Sequence, residues 1–197
     1  TTSSSGRLMN AVQTGSSCNV NYASTDTSPY LSKLGTSFGA VGGCQVPYFQ
    51  YDLSSIPTTA VFTSGYFEYD ETWVSSTLPS CIIRLASTNT VGQQMFDDGL
   101  GTGSPAGVDL TGSITSCTTN QVDYQEPITT GGTSLASKFG GTATILVTSS
   151  DWVRDGTNRY TLFVDNDAVL SINYEIPTTP QPPTGLSTTI GIPLGTS

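Results

Sequence analysis

Histidine is absent from the 197 residues, and with it the commonest general base and the commonest transition-metal ligand. Serine–histidine and cysteine–histidine catalysis are thereby excluded. Charge is scarce as well: 11% of the side chains are charged, against ~25% in an average soluble domain. Six basic residues face fifteen acidic ones, for a net charge of −9. With so few cations, neither nucleic acid nor an anionic membrane surface is expected as a partner. No apolar run approaches the ~20 residues of a membrane-spanning helix, so no membrane insertion is expected. None of the eight asparagines lies in an Asn-x-Ser/Thr frame, which excludes N-glycosylation by that signal. Lys33 and Lys138 are the only lysines, and neither falls in a Ser-x-x-Lys frame.

What is present points elsewhere. The chain holds 58 serines and threonines, 21 glycines, 11 prolines and 18 aromatic residues. The aromatics, with abundant Val, Ile and Thr, exclude wholesale disorder despite the acidic balance. Cys18, Cys44, Cys81 and Cys117 show no Cys-x-x-Cys spacing, so a zinc site is not expected. Three disulfide connectivities remain open. Cys18–Cys44 and Cys81–Cys117 is the preferred pair, each stapling one polar loop of ~25–35 residues, with ~3–4 kcal/mol per bridge on the chain-entropy model. Disulfides imply an extracellular setting. The opening TTSSSGR, without Met or an apolar stretch, reads as a mature processed chain. Ser/Thr clusters near proline permit O-glycosylation.

Helical periodicity is nearly absent, and short β-type runs recur. The strongest are 46–53 and 60–70, followed by 80–86, 107–114, 120–124, 142–148, 159–165 and 168–176, with weaker candidates at 8–13 and 17–22. Some ten short strands between Gly/Ser/Asp turns predict a single antiparallel β-sandwich or jelly roll over residues 1–176, with 1–13 as a possible N-terminal arm. Asn166-Asp167 is a tight-turn pair, so 159–165 and 168–176 are expected to form a hairpin. One short helix is expected at 133–139, with Thr133 as N-cap.

Residues 177–185 (PTTPQPPTG) read as an extended proline-rich linker. Beyond it, the tail 186–197 contains a strict period of two. Leu186, Thr188, Ile190, Ile192 and Leu194 lie on one face, with Ser187, Thr189, Gly191 and Pro193 on the other. An isolated strand on a tether has no stability of its own and needs a sheet to join.

The only acid–base groups are carboxylates. Glu68, Asp70 and Glu71 cluster at a strand end, and Asp97-Asp98 fall in a glycine-rich stretch expected to be a loop, as is GLGTGSPAG at 99–107. Solvated turns account for both, and no catalytic residue is assigned. Asp97-Asp98 and Asp165-Asn166-Asp167 offer hard oxygen ligands of the kind a structural Ca²⁺ takes. Neither shows the ligand spacing of a dedicated loop, so no cofactor is expected. Trp73 and Trp152, with Tyr30, Tyr48 and Tyr160, are candidates for a sugar-binding platform, though aromatics on strands more often fill cores.

Residues 48–69 (YFQYDLSSIPTTAVFTSGYFEY), and above all Tyr51 to Pro57, resemble a motif of the DNRLRE-type extracellular β-sandwich domains, which are similar to certain carbohydrate-binding modules. The closing RYTLFVDNDAVLSINYEI is similar to that family's last hairpin. The resemblance implies a surface or secreted module for adhesion, wall binding or assembly, and it brings no catalytic residue. The functional expectation is a structural, non-enzymatic subunit of an extracellular filament or surface appendage. It would polymerise with itself by β-strand addition of a terminal segment, with Leu186, Ile190, Ile192 and Leu194 as anchors. Segment 1–13 is the rival donor. The alternative is a secreted carbohydrate-binding or adhesin module that does not polymerise.

Overall fold

A computed structural model describes residues 2–10, 22–26, 30–33, 44–74, 81–101, 103, 105–112, 121–149, 160–164 and 168–178. The elements within them run β1 (Thr2–Asn10), β2 (Tyr22–Asp26), β3 (Tyr30–Lys33), β4 (Cys44–Asp52), β5 (Val61–Val74) and β6 (Cys81–Leu85). Then follow α1 (Gln93–Leu100), β7 (Val108–Asp109), β8 (Gln121–Pro127), α2 (Gly132–Ala136), β9 (Thr142–Ser149), β10 (Tyr160–Val164) and β11 (Val169–Glu175). Each described pairing is antiparallel, and the all-β sandwich expected from the strand pattern is the observed fold.

Two layers face each other. One holds β8, β5 and β11, and the other runs β2-β1-β4-β9-β6-β7. They stay hydrogen-bonded at one corner, where β10 leaves β5 to pair with β3 and β3 pairs with β4. Alternation decides which side chains meet between the layers. Phe49 and Tyr51 of β4, Phe67 and Tyr69 of β5, Ile83 and Leu85 of β6, and Ile145 and Val147 of β9 form the main core. Phe67 sits at its centre, with ring centroids 5.6 Å from Phe49 and 5.5 Å from Tyr69.

The intervening residues of β4 and β9 are buried too. Val46, Tyr48 and Leu146 form a second core with Met95, Phe96 and Leu100 of α1, which covers the outer face of that layer. This helix is a departure from the loop expected at 97–107. Its ends are marked by Gly92 and by Gly101, which takes a left-handed φ of 76° as C-cap. Those glycines suggested a loop, whereas they punctuate eight helical residues. Gly99 lets the helix lie directly on the sheet: a Cβ there would stand 2.7 Å from a Val46 methyl. The second helix lies where expected, covering Gly132–Ala136 and continuing as turns to Gly140, but its N-cap is Gly131 without a side-chain bond, and Thr133 lies inside the helix rather than capping it.

The expected hairpin at 159–176 does not form. Both β10 and β11 run antiparallel to β5: Leu162 lies opposite Val74, and Val169 lies opposite Glu68. Two strands antiparallel to the same side of one partner point the same way, so they lie end to end. β5 spans 14 residues, long enough to receive both in one lane. The N-terminal segment is paired within its own chain, with β1 between β2 and β4.

Candidate functional site

Four of the carboxylates singled out in the sequence, Glu68, Asp70, Asp97 and Asp98, are taken up in bracing. Glu68 accepts a hydrogen bond from Gln125 Nε2 at 2.6 Å, and Asp70 accepts one from the Asp123 backbone N–H. Asp123 has a φ of 53° at the irregular end of the β5–β8 pairing. A small cavity of about 80 Å³ lies among Glu68, Tyr69, Asp70, Asp123 and Val169. Asp97 and Asp98 sit on α1, not in a loop. Asp97 accepts from Gln93 Nε2 at 2.7 Å, one helical turn back. Asp98 is fully buried, and its Oδ2 accepts from both the backbone N–H and the hydroxyl of Ser87 at 2.7 Å. Its Oδ1 accepts from Gln94 Nε2 at 3.0 Å. The Asp98 side chain therefore fastens the segment after β6 to the helix.

Arg84 serves the same region, donating from Nε to Asp109 Oδ1 at 2.6 Å and from Nη1 to the Asp98 carbonyl at 2.7 Å. Asp52, at the end of β4, is held below the ordinary carboxylate range by the Ser54 hydroxyl and then by the Ser54 N–H. Among the described residues, no group of three or more His, Cys, Asp or Glu side chains is placed to hold a metal ion.

Several candidates lie outside the described residues: Trp152, Tyr160's side chain, Asp165 to Asp167, Cys18, Cys117 and the whole tail 186–197. The side chains of Tyr30, Cys44, Glu71 and Trp73 also fall outside, although the backbone of each is described. Tyr48 is a core residue beneath α1 and is no part of a surface platform. Cys81 is fully buried on β6 and is not a free thiol.

Where β8 ends, Thr129 and Thr130 turn away to the Leu110 carbonyl, and among the described residues β5 has no further neighbour on that side. A groove of about 430 Å³ opens there, lined by Val61, Phe62, Ile128, Gly132 and Ala136 among others.

The edges of the sheet differ in how they are guarded. An edge strand offers unpaired N–H and C=O groups to any passing strand, and native proteins blunt it with shortness, charge, proline or bulges. β7 has two residues and carries the Arg84–Asp109 ion pair. β8 carries the left-handed Asp123, together with Glu126 and Pro127. β11 has seven residues, no proline and no basic residue, and Glu175 at its end is its one charge.

Among the described residues β11 pairs with β5 alone. The register shows which of its groups face outward. The Gly65 carbonyl accepts from the Ile128 N–H at 2.9 Å, so Gly65 and Phe67 of β5 point their backbone groups toward β8. Ser64, Tyr66 and Glu68 therefore point toward β11, where they oppose Asn173, Ser171 and Val169. The residues between, Leu170 and Ile172, turn their N–H and C=O away from β5 to the outer edge. Their side chains stand perpendicular to those groups and pack against the main core, yet remain only half-buried. Phe67, opposite Leu170 on β5, is 0% exposed. The inner face of the sandwich thus runs out of cover at β11, where Leu170 and Ile172 are half-buried although Phe67 beside them is fully buried.

The arrangement defines an antiparallel β-sandwich in which, among the described residues, β11 is an edge strand of seven residues with neither proline nor a basic residue. No family model matches the chain, and no curated protein matches it.

Proposed function

We propose that the protein is a structural subunit of an extracellular filament or surface appendage, in which a terminal segment of one copy adds as a strand to the sheet of the next. The observation that carries this reading is β11, seven residues long, with outward backbone groups at Leu170 and Ile172 above half-buried apolar side chains. Such an edge is a template for main-chain pairing. Tail and edge are different surfaces, so each joint leaves one of each free, and the product is an open head-to-tail polymer.

Other features suit the same reading. The 58 hydroxyl residues offer sites for O-linked sugar, which is the carbohydrate partner proposed. Cys81 is disulfide-bonded, and we assign Cys117 as its partner, with Cys18–Cys44 as the second bridge of a secreted chain. The likeness of residues 48–69 to DNRLRE-type surface domains points to the same setting. The proposed role needs no cofactor and no catalytic centre. Among the described residues nothing favours the alternative of a non-polymerising sugar-binding module.

The test is assembly of the purified full chain, followed by sedimentation velocity and negative-stain microscopy over a concentration series. Filaments with a regular subunit repeat are the expected result. A chain that stays monomeric across the series overturns the proposal.

A further inference from the structure

Resting on the strand-addition reading, we infer that the acceptor is the outer edge of β11 and that the donor is residues 186–194 of a second copy, entering antiparallel to β11. The lane beyond β11 is already defined by the sheet. β3 occupies it at one end by pairing with β10 on the side away from β5, and β11 continues β10 past the end of β3. A strand beside β11 extends the line of β3, and one running antiparallel to β11 has the same direction as β3.

The sequence of 186–194 suits that lane in three ways. Its apolar face, Leu186, Ile190, Ile192 and Leu194, supplies side chains to the inner face beside the half-buried Leu170 and Ile172. It carries no charge, and β11 carries one, so the contact avoids the repulsion expected between two chains of net charge −9.

The third point fixes the direction. In an antiparallel pair, directly opposed residues share a face and both turn their backbone groups toward, or both away from, each other. Leu170 and Ile172 face inward with side chains and outward with N–H groups. An antiparallel donor with its apolar residues inward therefore aims the N–H groups of Leu186, Ile190, Ile192 and Leu194 at β11. Pro193, on the other face, then has its missing N–H turned away from the acceptor, the one place in an edge strand where proline costs no bond. Parallel entry reverses this and loses a bond at Pro193. In the antiparallel register Leu186 enters beside Glu175 and Leu194 lies toward Val169.

The linker selects a second copy as the source. Antiparallel return onto the chain's own β11 would require residues 176–185 to close back within ~5 Å. Four prolines in residues 177–185 favour extended chain, ~3.1 Å per residue, and so disfavour that reversal.

The experiment uses two full-length variants. Ile190→Asp/Ile192→Asp disables the donor and leaves the sandwich untouched. Ile172→Pro disables the acceptor: its N–H is unused by the β5 ladder, so proline breaks no bond of that ladder. Leu170→Pro is the second acceptor variant, for the same reason, and circular dichroism confirms folding of each.

Each variant alone is expected to lose filament formation, and a 1:1 mixture of donor and acceptor variants to give heterodimers and nothing longer by sedimentation. Filaments formed by both single variants, from a wild-type chain that polymerises, would overturn the assignment and leave the filament reading standing. Folded variants that form no heterodimer would overturn it in favour of closure within one chain. A wild-type chain that never polymerises removes the filament reading, and this inference with it.

Discussion

Replacement of Asp98 by alanine distinguishes a brace from a reacting carboxylate. The side chain is fully buried and accepts three hydrogen bonds, two from Ser87 and one from Gln94. Hydrogen bonds to charged groups contribute ~1.5–3 kcal/mol each in deletion experiments, and neutral ones about 1. Ser87 and Gln94 are only part-buried, so water reclaims some of the orphaned donors. The loss expected for Asp98→Ala is therefore about 3 kcal/mol rather than the full sum.

Ser87→Ala removes one of the two Ser87 bonds and should cost about 1 kcal/mol alone. In the Asp98→Ala background that cost should fall close to zero, because the partner has already gone. The assay is urea unfolding of the wild type, both single variants and the double variant. A loss under about 1 kcal/mol for Asp98→Ala, or strict additivity of the two substitutions, would refute the brace.

Gly99→Ala places a methyl group 2.7 and 2.9 Å from the two Val46 methyls, so α1 must lift from the sheet. A cost of ~1–3 kcal/mol in urea unfolding is expected, with the aromatic signals of Phe96 shifted by NMR. Asp52 titrates below its ordinary value because its charged form accepts from Ser54. Its contribution to stability is present above 3.8 and is lost as the pH falls through the lowered folded value. A carboxylate NMR titration should show the Asp52 midpoint rising toward 3.8 in Ser54→Ala, and an unmoved midpoint would exclude the Ser54 hydroxyl as the larger cause.

Strands whose alternation coincides with aromatic and β-branched residues were legible in the sequence. β4, β5, β6 and β9 fall within a few residues of the expected runs, since burial between two layers imposes period two wherever a core exists. α1 was not legible. Its residues QQMFDDGL lie between glycines, and what makes them a helix is the apolar outer face of β4 and β9, a surface that exists only after the sheet has formed. The hairpin expectation rested on sound turn chemistry at Asn166-Asp167. What decides the outcome is the length of β5, which offers both strands a place in line.

The candidate site divides in the same way. The apolar face of 186–194 is visible in the residues themselves. That β11 is the exposed end of the layer depends on lane order, which local patterning does not encode. The bracing of Asp98 by Ser87 is equally hidden, because eleven residues separate the partners and nothing in either marks the other.

The end-to-end placement of β10 and β11 along β5 has a mechanical consequence. β11 ends at Glu175, opposite Val61, at the far end of the β5–β11 ladder. Tension drawn through residues 176–178 along the axis of β11 loads its backbone bonds to β5 together, in shear. A pull at right angles to that axis would open the same bonds one after another, as a zipper. The described sandwich is thus built to resist lengthwise force at the end of β11, and it yields far more readily to a sideways peel.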